Sequence, residues 1–453
     1  MYIHRLRCPR GTDQSLPSVL TREYPGSQFE TYYSGALASV AFAGTVTGML
    51  IFGWISDGIV MGMAAAPLCV ILFSAMSSIV AIPGGPEISV GEFVGWLCFM
   101  RFLLGIGIGA GHTSGMATPL ERTWQDGIAK NAQHRWLVLG TKTMIDAGFV
   151  LAFFVPLVLY WCFSGEQQHL RMICSHSLGF GAVPPIVLIC GCIILFHQPV
   201  PEPDSNSSEL VHIPGWLTVK WYWKSVLGLS LAWFIYDSIS YVHFGIYSSM
   251  IMNNITGGSS SLTIVFGWSI VINLFYIPGT VLGTFIIDYL GLKTTMIVGL
   301  LLQATIGFAM GTMYSPLTNH TATFAVFYGL FLTLGEVGPG SCLRILAAKT
   351  GPTAHISGQF YNIAATIGKV GAFIGTWVFP RIIDAFGGSK TAKGNTGPFW
   401  IGSGLAILGA VVTFFLVKTH MHDEEKAFRQ YLEEKGFDMN HMDVRIPVGE
   451  GDV

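Results

Sequence analysis

The stretch TIVFGWSIVINLFYIPGTVLGTFII, residues 263–287, contains no charged side chain. A transmembrane helix needs about 20 mainly apolar residues, because the hydrocarbon layer of a bilayer is about 30 Å thick. Comparable stretches occur elsewhere in the chain, at 34–56, 59–82, 93–117, 136–163, 176–197, 225–250, 294–313, 321–346, 359–380 and 398–418. The sequence therefore predicts an all-α membrane protein that crosses the bilayer about 11 times.

The overall composition supports the same class of protein. Of the 453 residues, 51% are hydrophobic and 11% are charged, whereas soluble domains carry about 25% charged residues. The formal net charge of −2 gives no electrostatic reason to expect a nucleic-acid partner. The eight cysteines form no CxxC pair, so we expect them to pack within helices rather than to bind metal. The bilayer is the first predicted partner.

A polar, proline-containing connector over residues 198–224 divides the apolar stretches into two groups. We expect an N-terminal transmembrane half over 34–197 and a C-terminal transmembrane half over 225–418. Residues 1–33 read as a polar N-terminal segment without a cleavable signal, and residues 419–453 as a charged cytoplasmic tail with a short helix. Placing the connector in the cytoplasm also places most loop lysines and arginines there, as the positive-inside rule requires.

The two halves share three patterns in the same order. The matches are Gly48-x8-Asp57 with Gly279-x8-Asp288, glycine ladders at 105–111 and 335–340, and Asp146-x-Gly148 with Lys369-x-Gly371. Internal repeats of this kind are typical of secondary transporters, which bind substrate between the repeats. Because spans one, three and four match spans seven, nine and ten, we expect two six-helix halves of which the first apparently lacks its first helix.

Charged side chains inside the predicted spans are candidates for function, because each costs about 2.5–3.5 kcal/mol to insert at a helix centre. Trp233, Asp237 and Tyr241 have the spacing i, i+4, i+8 and share one helix face. That face offers a ring, a carboxylate and a phenol, which suit either a polar ligand or a hydrogen bond to a neighbouring helix. Lys369 lies between two glycines and would meet either an anionic substrate or a carboxylate.

Other ionisable residues leave functional and structural interpretations open. Lys142 and Asp146 are four residues apart and can pair with each other, so Asp146 would serve either proton coupling or packing. Glu336 and Arg101 lie in glycine-rich helices, where structural pairing and transport are both possible. Two aspartates at helix ends, Asp57 and Asp288, are expected to hold loops or gates. Further titratable residues within the spans include His112, His243 and Arg344.

The sequence contains no motif of a known enzyme mechanism. It has no Walker loop, HExxH or GxSxG. We therefore expect a protein that is not an enzyme, with no cofactor and no metal. Asn254 and Asn319 begin Asn-x-Thr glycosylation sequons in predicted outer loops.

Several motifs together resemble the fungal glycerophosphoinositol and glycerophosphocholine permeases, a group in the phosphate:proton symporter branch of the major facilitator superfamily. The resemblance extends from about residue 34 to residue 438, and its most specific stretches are 144–150, 233–237, 273–279, 335–340, 358–361, 368–373 and 431–438.

The resemblance implies the major facilitator fold, working by alternating access in the plasma membrane. It implies uptake of a small anionic organic phosphate, namely a glycerophosphodiester, or of phosphate itself. This uptake would be coupled to protons, with the proton gradient as its energy source. Trp233, Tyr241 and Lys369 match substrate-binding positions of related phosphate symporters, and Asp237 matches a carboxylate beside them. We expect proton coupling at Asp237, Asp146 and Glu336, gating or structural roles for Asp57, Arg101 and Asp288, and a monomer.

The sequence also departs from the family pattern. Gly111-His112 stands where the family has a carboxylate, residues 58–62 carry no charge, and Ser341 and Ser357 replace an aspartate and an arginine. Two alternatives therefore remain beside uptake. One is a major facilitator exporter of another fungal metabolite, and the other is a degenerate family member that does not transport.

Overall fold

The protein is seen here in a computed structural model that describes residues 34–54, 59–79, 90–123, 133–163, 170–187, 190, 217, 220–239, 251–252, 255–256, 262–349, 354–388, 391–417 and 422–435. Among these residues there is no strand. The first half contains α1 (Ser34–Trp54), α2 (Ile59–Ile79), α3 (Val90–Thr123), α4 (Gln133–Cys162) and α5 (Leu170–Phe180). The second half contains α6 (Trp223–Tyr236), α7 (Leu262–Leu274), α8 (Tyr276–Leu290), α9 (Leu292–Thr312), α10 (Tyr314–Thr318), α11 (Thr321–Gly335), a π-helical turn (Glu336–Gly340), α12 (Ser341–Lys349), α13 (Ala354–Ala385) and α14 (Ala392–Leu416), followed by α15 (His422–Glu434).

Within the described part of the chain, seven helical stretches are long and apolar enough to cross a bilayer. They are Val94–His112, Lys142–Cys162, Leu262–Leu290, Leu292–Thr312, Thr321–Ala347, Tyr361–Ala385 and Ala392–Leu416. Shorter apolar helices occupy the first two predicted spans. Large apolar side chains face outward, such as Leu50 and Phe415, which are 60% and 74% exposed. Such a surface is stable in lipid rather than in water, and the predicted all-α, multi-pass membrane protein is confirmed.

Several predicted spans are described only in part. The predicted span 176–197 begins within α5, and the span 225–250 corresponds to α6 and a π-helical turn over residues 237–239. Residues 1–33 and most of the connector lie outside the described residues. The short first half and the proposed domain boundaries therefore stay predictions.

Glycines allow α1 and α3 to pack with their backbones in contact. Gly44 and Gly48 of α1 face Gly105 and Gly109 of α3, and a methyl group at Gly105 would overlap the Ala41 carbonyl oxygen. Close backbone approach at small residues is a main source of helix association in membranes, where lipid removes the hydrophobic driving force. The glycine ladder of α3 is thus required by packing.

The two halves meet along two contacts, which we call the α13 seam and the α4 seam. In the α13 seam, α13 packs against α1, and in the α4 seam, α4 packs against α7 and α8. The α4 seam contains an aromatic contact between Phe153 and Phe266, with ring centroids 6.5 Å apart. At its end the Trp161 indole donates a hydrogen bond to the Thr263 hydroxyl at 3.3 Å. The same helix α4 carries Lys142 and Asp146 further along this seam.

The C-terminal helix α15 is packed onto the residues that precede α6. Phe428 and Leu432 are 1% and 0% exposed. Phe428 contacts the Tyr222 ring edge-on at a centroid distance of 5.2 Å, and Tyr431 lies 4.9 Å from the Trp221 ring. The charged tail is therefore anchored to the start of α6 by an apolar face.

We predict that Gly105→Val destabilises the protein by about 1–3 kcal/mol, because the added side chain forces α1 and α3 apart. Gly95→Val on the same helix is the matched control, since no atom lies within 4 Å of a methyl group placed there. The measurement is the thermal unfolding midpoint of purified protein in detergent. Equal midpoints for the two variants would contradict the packing argument.

Candidate functional site

A buried ion pair joins α6 to α13. The Lys369 ammonium lies 2.9 Å from Oδ2 of Asp237 and donates a hydrogen bond to it. Asp237 is 2% exposed and Lys369 is 9% exposed. Asp237 follows the last residue of α6 and begins the π-helical turn over residues 237–239. In this structure Lys369 therefore pairs with a carboxylate, which is one of the two partners expected from the sequence. We call these two residues the Asp237 pair.

Two glycines of α13 explain how the pair is brought together. A methyl group at Gly368 would lie 2.5 Å from the Trp233 ring, and one at Gly371 would lie 2.5 Å from the Phe234 carbonyl oxygen. Helix α13 therefore approaches α6 as closely as glycine allows, on either side of Lys369. The pattern Gly-Lys-x-Gly is the local sequence requirement for burying this ammonium against α6.

An aromatic wall, formed by Trp233 and Tyr361, and further basic side chains lie near the Asp237 pair. Trp233, one helical turn before Asp237, contacts the buried Tyr361 ring edge-on, with centroids 5.6 Å apart and planes at 74°. His112 of α3 lies within electrostatic range of Lys369 and of Arg344. The pair therefore lies among groups from both halves, next to rings that exclude water.

A second buried cluster links the halves directly. The Lys142 ammonium of α4 lies 2.7 Å from Oδ1 of Asp146 and 2.8 Å from Oε2 of Glu336. The Thr280 hydroxyl of α8 donates a short hydrogen bond to Oδ2 of Asp146. The Tyr236 hydroxyl of α6 donates to Oε1 of Glu336 at 3.3 Å. We call these five residues the Lys142 cluster; its lysine and aspartate come from the first half and its other members from the second.

The Glu336 side chain occupies a notch formed by glycines. A methyl group at Gly340 would overlap the Glu336 carboxylate, and one at Gly279 would lie 2.9 Å from its Cβ. Glu336 begins a π-helical turn in which Gly338 has φ −84° and ψ −106°, a conformation outside the helical region. Single π-helical turns inside membrane helices are frequent at functional sites. The motif Gly-Glu-Val-Gly-Pro-Gly thus makes space for a buried carboxylate.

The two groups of charged residues adjoin through α6. Tyr236 contacts Glu336, and the next residue, Asp237, contacts Lys369. Successive residues of a helix point in directions about 100° apart, because a turn contains 3.6 residues. One helix end therefore contributes to both sites, and a displacement of α6 changes both.

The remaining predicted residues are placed as follows. The guanidinium of Arg101 donates a hydrogen bond to the Leu37 carbonyl oxygen at 3.3 Å, within the α1–α3 contact. Asp288 is exposed near the end of α8, and Asn319 is exposed at the end of α10. Asp57, Tyr241, His243 and Asn254 lie outside the described residues. The gating, glycosylation and substrate roles assigned to these residues stay predictions.

Three members of the Lys142 cluster could not be assigned their roles from the sequence; they are Lys142, Tyr236 and Thr280. Lys142 was recognised as a partner of Asp146, but nothing in the sequence indicated its contact with Glu336, which lies in the other half. Tyr236 could have been noted as the neighbour of Asp237. Thr280 carries no signal, because threonine is common in apolar helices, where it bonds to its own backbone.

Comparison with solved structures identifies the class of fold. A D-xylose-proton symporter superposes with a TM-score of 0.67 over 90% of this chain and 93% of that one, at 17% identity. The inward-open xylose transporter XylE from E. coli gives a TM-score of 0.64 over 92% and 94% of the two chains, at 16% identity. The fold is that of a major facilitator transporter, and a family model described as sugar (and other) transporter matches residues 214–427.

Sequence relatives narrow the class. The chain is 37% identical to the major glycerophosphoinositol permease GIT3 of Candida albicans, over 96% of this chain and 81% of the relative. It is 38% identical to the glycerophosphocholine permease GIT4 of the same organism, over 89% and 75% of the two chains. The chain belongs to the family of these fungal permeases, so the family resemblance seen in the sequence is confirmed. A weaker relative, at 25% identity over 85% and 64% of the two chains, is the inorganic phosphate transporter PT2 of Toxoplasma gondii.

We predict that Lys369→Met destabilises the protein by about 3–5 kcal/mol, because it leaves the buried Asp237 carboxylate without its ammonium. The double variant Asp237→Asn/Lys369→Met removes both charges and should recover most of this loss. Thermal unfolding midpoints in detergent measure the effect. Lys393→Met, at an exposed lysine of α14, is the control. A double variant no more stable than Lys369→Met would show that the pair does not govern stability.

Proposed function

We propose that this transporter takes up a small phosphate-bearing metabolite, a glycerophosphodiester, together with protons across the plasma membrane, and that it works as a monomer. Two kinds of support converge on this cargo. Relatives at 37% and 38% identity are named as glycerophosphoinositol and glycerophosphocholine permeases. The observation that carries the proposal in this chain is a buried lysine, Lys369, held at the junction of the halves by Asp237.

The Asp237 pair has the chemistry to recognise a phosphate. A phosphate oxygen is an anionic acceptor like a carboxylate oxygen, so it can take the place of Asp237 at the Lys369 ammonium. A second cation, Arg344, lies within electrostatic range of Tyr361, which in turn lies within range of Asp237. Among the described residues, this region thus contains two cations, Lys369 and Arg344, and one carboxylate, that of Asp237. The surplus of positive charge suits the single negative charge of a phosphodiester.

The non-phosphate part of the cargo would meet the aromatic wall. Trp233 and Tyr361 form a water-excluding surface one helical turn from Asp237. Tyr241 follows one further turn along by sequence. We propose that its phenol binds the phosphate of the cargo. The rings offer apolar faces to the carbon backbone of a glycerol or to a larger head group.

The arrangement of the halves supports alternating access. Substrate sites in this architecture lie near the membrane midplane between the repeats, and both charged groups lie at the junction between the halves. Rocking would open the α4 seam and the α13 seam alternately. We propose that the transported proton is carried by one of the three buried carboxylates, Asp237, Asp146 or Glu336.

We predict that uptake of glycerophosphodiesters falls at least about tenfold in Lys369→Ala, because the change removes a charge-assisted contact to the phosphate worth about 1.5–3 kcal/mol. We expect a similar fall in Asp237→Asn, because the Lys369 ammonium then loses the carboxylate that holds it in the site. The assay is uptake of radiolabelled glycerophosphocholine, glycerophosphoinositol and phosphate by yeast cells that lack their own permeases. Measurements at acidic and neutral external pH should show faster uptake at acidic pH. Lys393→Ala, with normal uptake, is the matched control.

The outcomes separate the candidate functions. Unchanged uptake in both variants would refute the proposed site. Preference for inorganic phosphate over both phosphodiesters would reassign the cargo. Preloaded wild-type cells that release labelled cargo but do not accumulate it would favour the exporter. A wild type that moves none of the three solutes in either direction would favour the degenerate member.

A further inference from the structure

The charges of the Lys142 cluster do not balance. One ammonium, that of Lys142, lies between two carboxylates, those of Asp146 and Glu336, at 2.7 and 2.8 Å. All three residues are at most 4% exposed. If both carboxylates are ionised, one negative charge is left in a site without water. The Asp237 pair differs, because there one carboxylate faces one ammonium.

Hydrogen-bond geometry distinguishes the two carboxylates. Each oxygen of Asp146 accepts a hydrogen bond, one from Lys142 and one from the Thr280 hydroxyl. Glu336 shares the same ammonium, and its second oxygen accepts from the Tyr236 hydroxyl at 3.3 Å, beyond the usual 2.5–3.0 Å range for two oxygens. Asp146 is therefore the better stabilised anion, and the surplus charge falls on Glu336.

The ionisable groups that face Glu336 come from two helices. Helix α4 contributes Lys142 and Asp146, and α6 contributes Tyr236. Tyr276 of α8 lies within electrostatic range of Tyr236. Among the described residues that face Glu336, Lys142 is therefore the one cation, and Asp146 already shares it.

We propose that Glu336 is the carboxylate that binds the transported proton, and that Lys142 makes this proton a latch between the two halves. The inference rests on the proposed function and deepens it by naming the proton site. The proton adds to the Glu336 carboxylate to give a neutral carboxylic acid, and it leaves to the opposite side of the membrane when the cargo has been released.

The latch follows from where the partners lie. Lys142 belongs to α4 of the first half, and Glu336 belongs to the second half. While Glu336 is ionised, the Lys142 ammonium binds both carboxylates and holds α4 against the second half. Once Glu336 is protonated, Lys142 keeps its partner Asp146 on its own helix, and the charged link between the halves is lost. Proton binding then lowers the cost of rocking.

The first test does not depend on the cargo. Infrared difference spectra of the purified full-length protein, recorded between acidic and alkaline pH, should show the band of a carboxylic acid shielded from water. We expect Glu336→Gln to lack this band, and Asp237→Asn and the exposed tail control Glu433→Gln to retain it. A band that persists in Glu336→Gln, or that disappears in Asp237→Asn, would overturn the assignment.

A second variant keeps the test valid if Glu336→Gln does not fold. Lys142→Gln removes the ammonium and leaves the two carboxylates together. The carboxylic acid band should then persist to a pH about one unit higher or more, because like charges at close range favour the protonated form. A titration that stays at the wild-type pH would show that Lys142 does not control this proton.

Transport supplies the complementary result. In vesicles, Glu336→Gln should still exchange labelled for unlabelled glycerophosphocholine, because exchange needs no release of the proton. It should fail to accumulate glycerophosphocholine under an imposed pH gradient of one unit, which drives about tenfold accumulation in a one-to-one symporter. Normal accumulation, or loss of exchange in folded protein, would overturn the proposal. A wild type that moves neither glycerophosphocholine nor glycerophosphoinositol would refute the proposed function alone, since the infrared result is independent of it.

Discussion

Burying ammonium groups in a membrane interior constrains the rest of this structure. A lysine at a helix centre is costly unless a carboxylate lies within contact distance, and the partner must come from a helix that can approach closely. Gly368 and Gly371 allow α13 to reach α6 around Lys369. Gly340 and Gly279 make the notch from which Glu336 reaches Lys142. These four glycines thus lie where the buried charges require close contact between helices.

In the proposed symport, the two charged groups have complementary roles because their charges are unbalanced in opposite directions. Around the Asp237 pair, cations outnumber carboxylates, which would suit an anionic cargo. In the Lys142 cluster, carboxylates outnumber ammonium groups, which would suit a proton. Both adjoin the same helix end at Tyr236 and Asp237. Electrostatic interaction weakens only slowly with distance where water is excluded, so binding of the proposed cargo at one site would favour binding of the proton at the other without any contact between them.

Much of the fold could be predicted from the sequence, because a helix that crosses lipid must be a long run of apolar residues, and such runs are visible in the sequence. The i, i+4 spacing also placed Trp233 beside Asp237 on one face. The contact of Lys142 with Glu336 could not be predicted, because the two residues lie in different halves and pattern within one helix says nothing about partners on another. The π-helical turn after Tyr236 could not be predicted either, because apolar content does not distinguish an α-helix from a π-helical turn.

The docking of α15 has a practical meaning for handling this protein. Phe428 and Leu432 are as buried as residues of the helical core, and they cover Tyr222 just before α6 begins. A C-terminal truncation made to ease crystallisation should therefore keep this helix through Glu434. A shorter form would expose aromatic rings at the start of α6, the helix that leads to Trp233 and Asp237. The purified protein would then tend to aggregate.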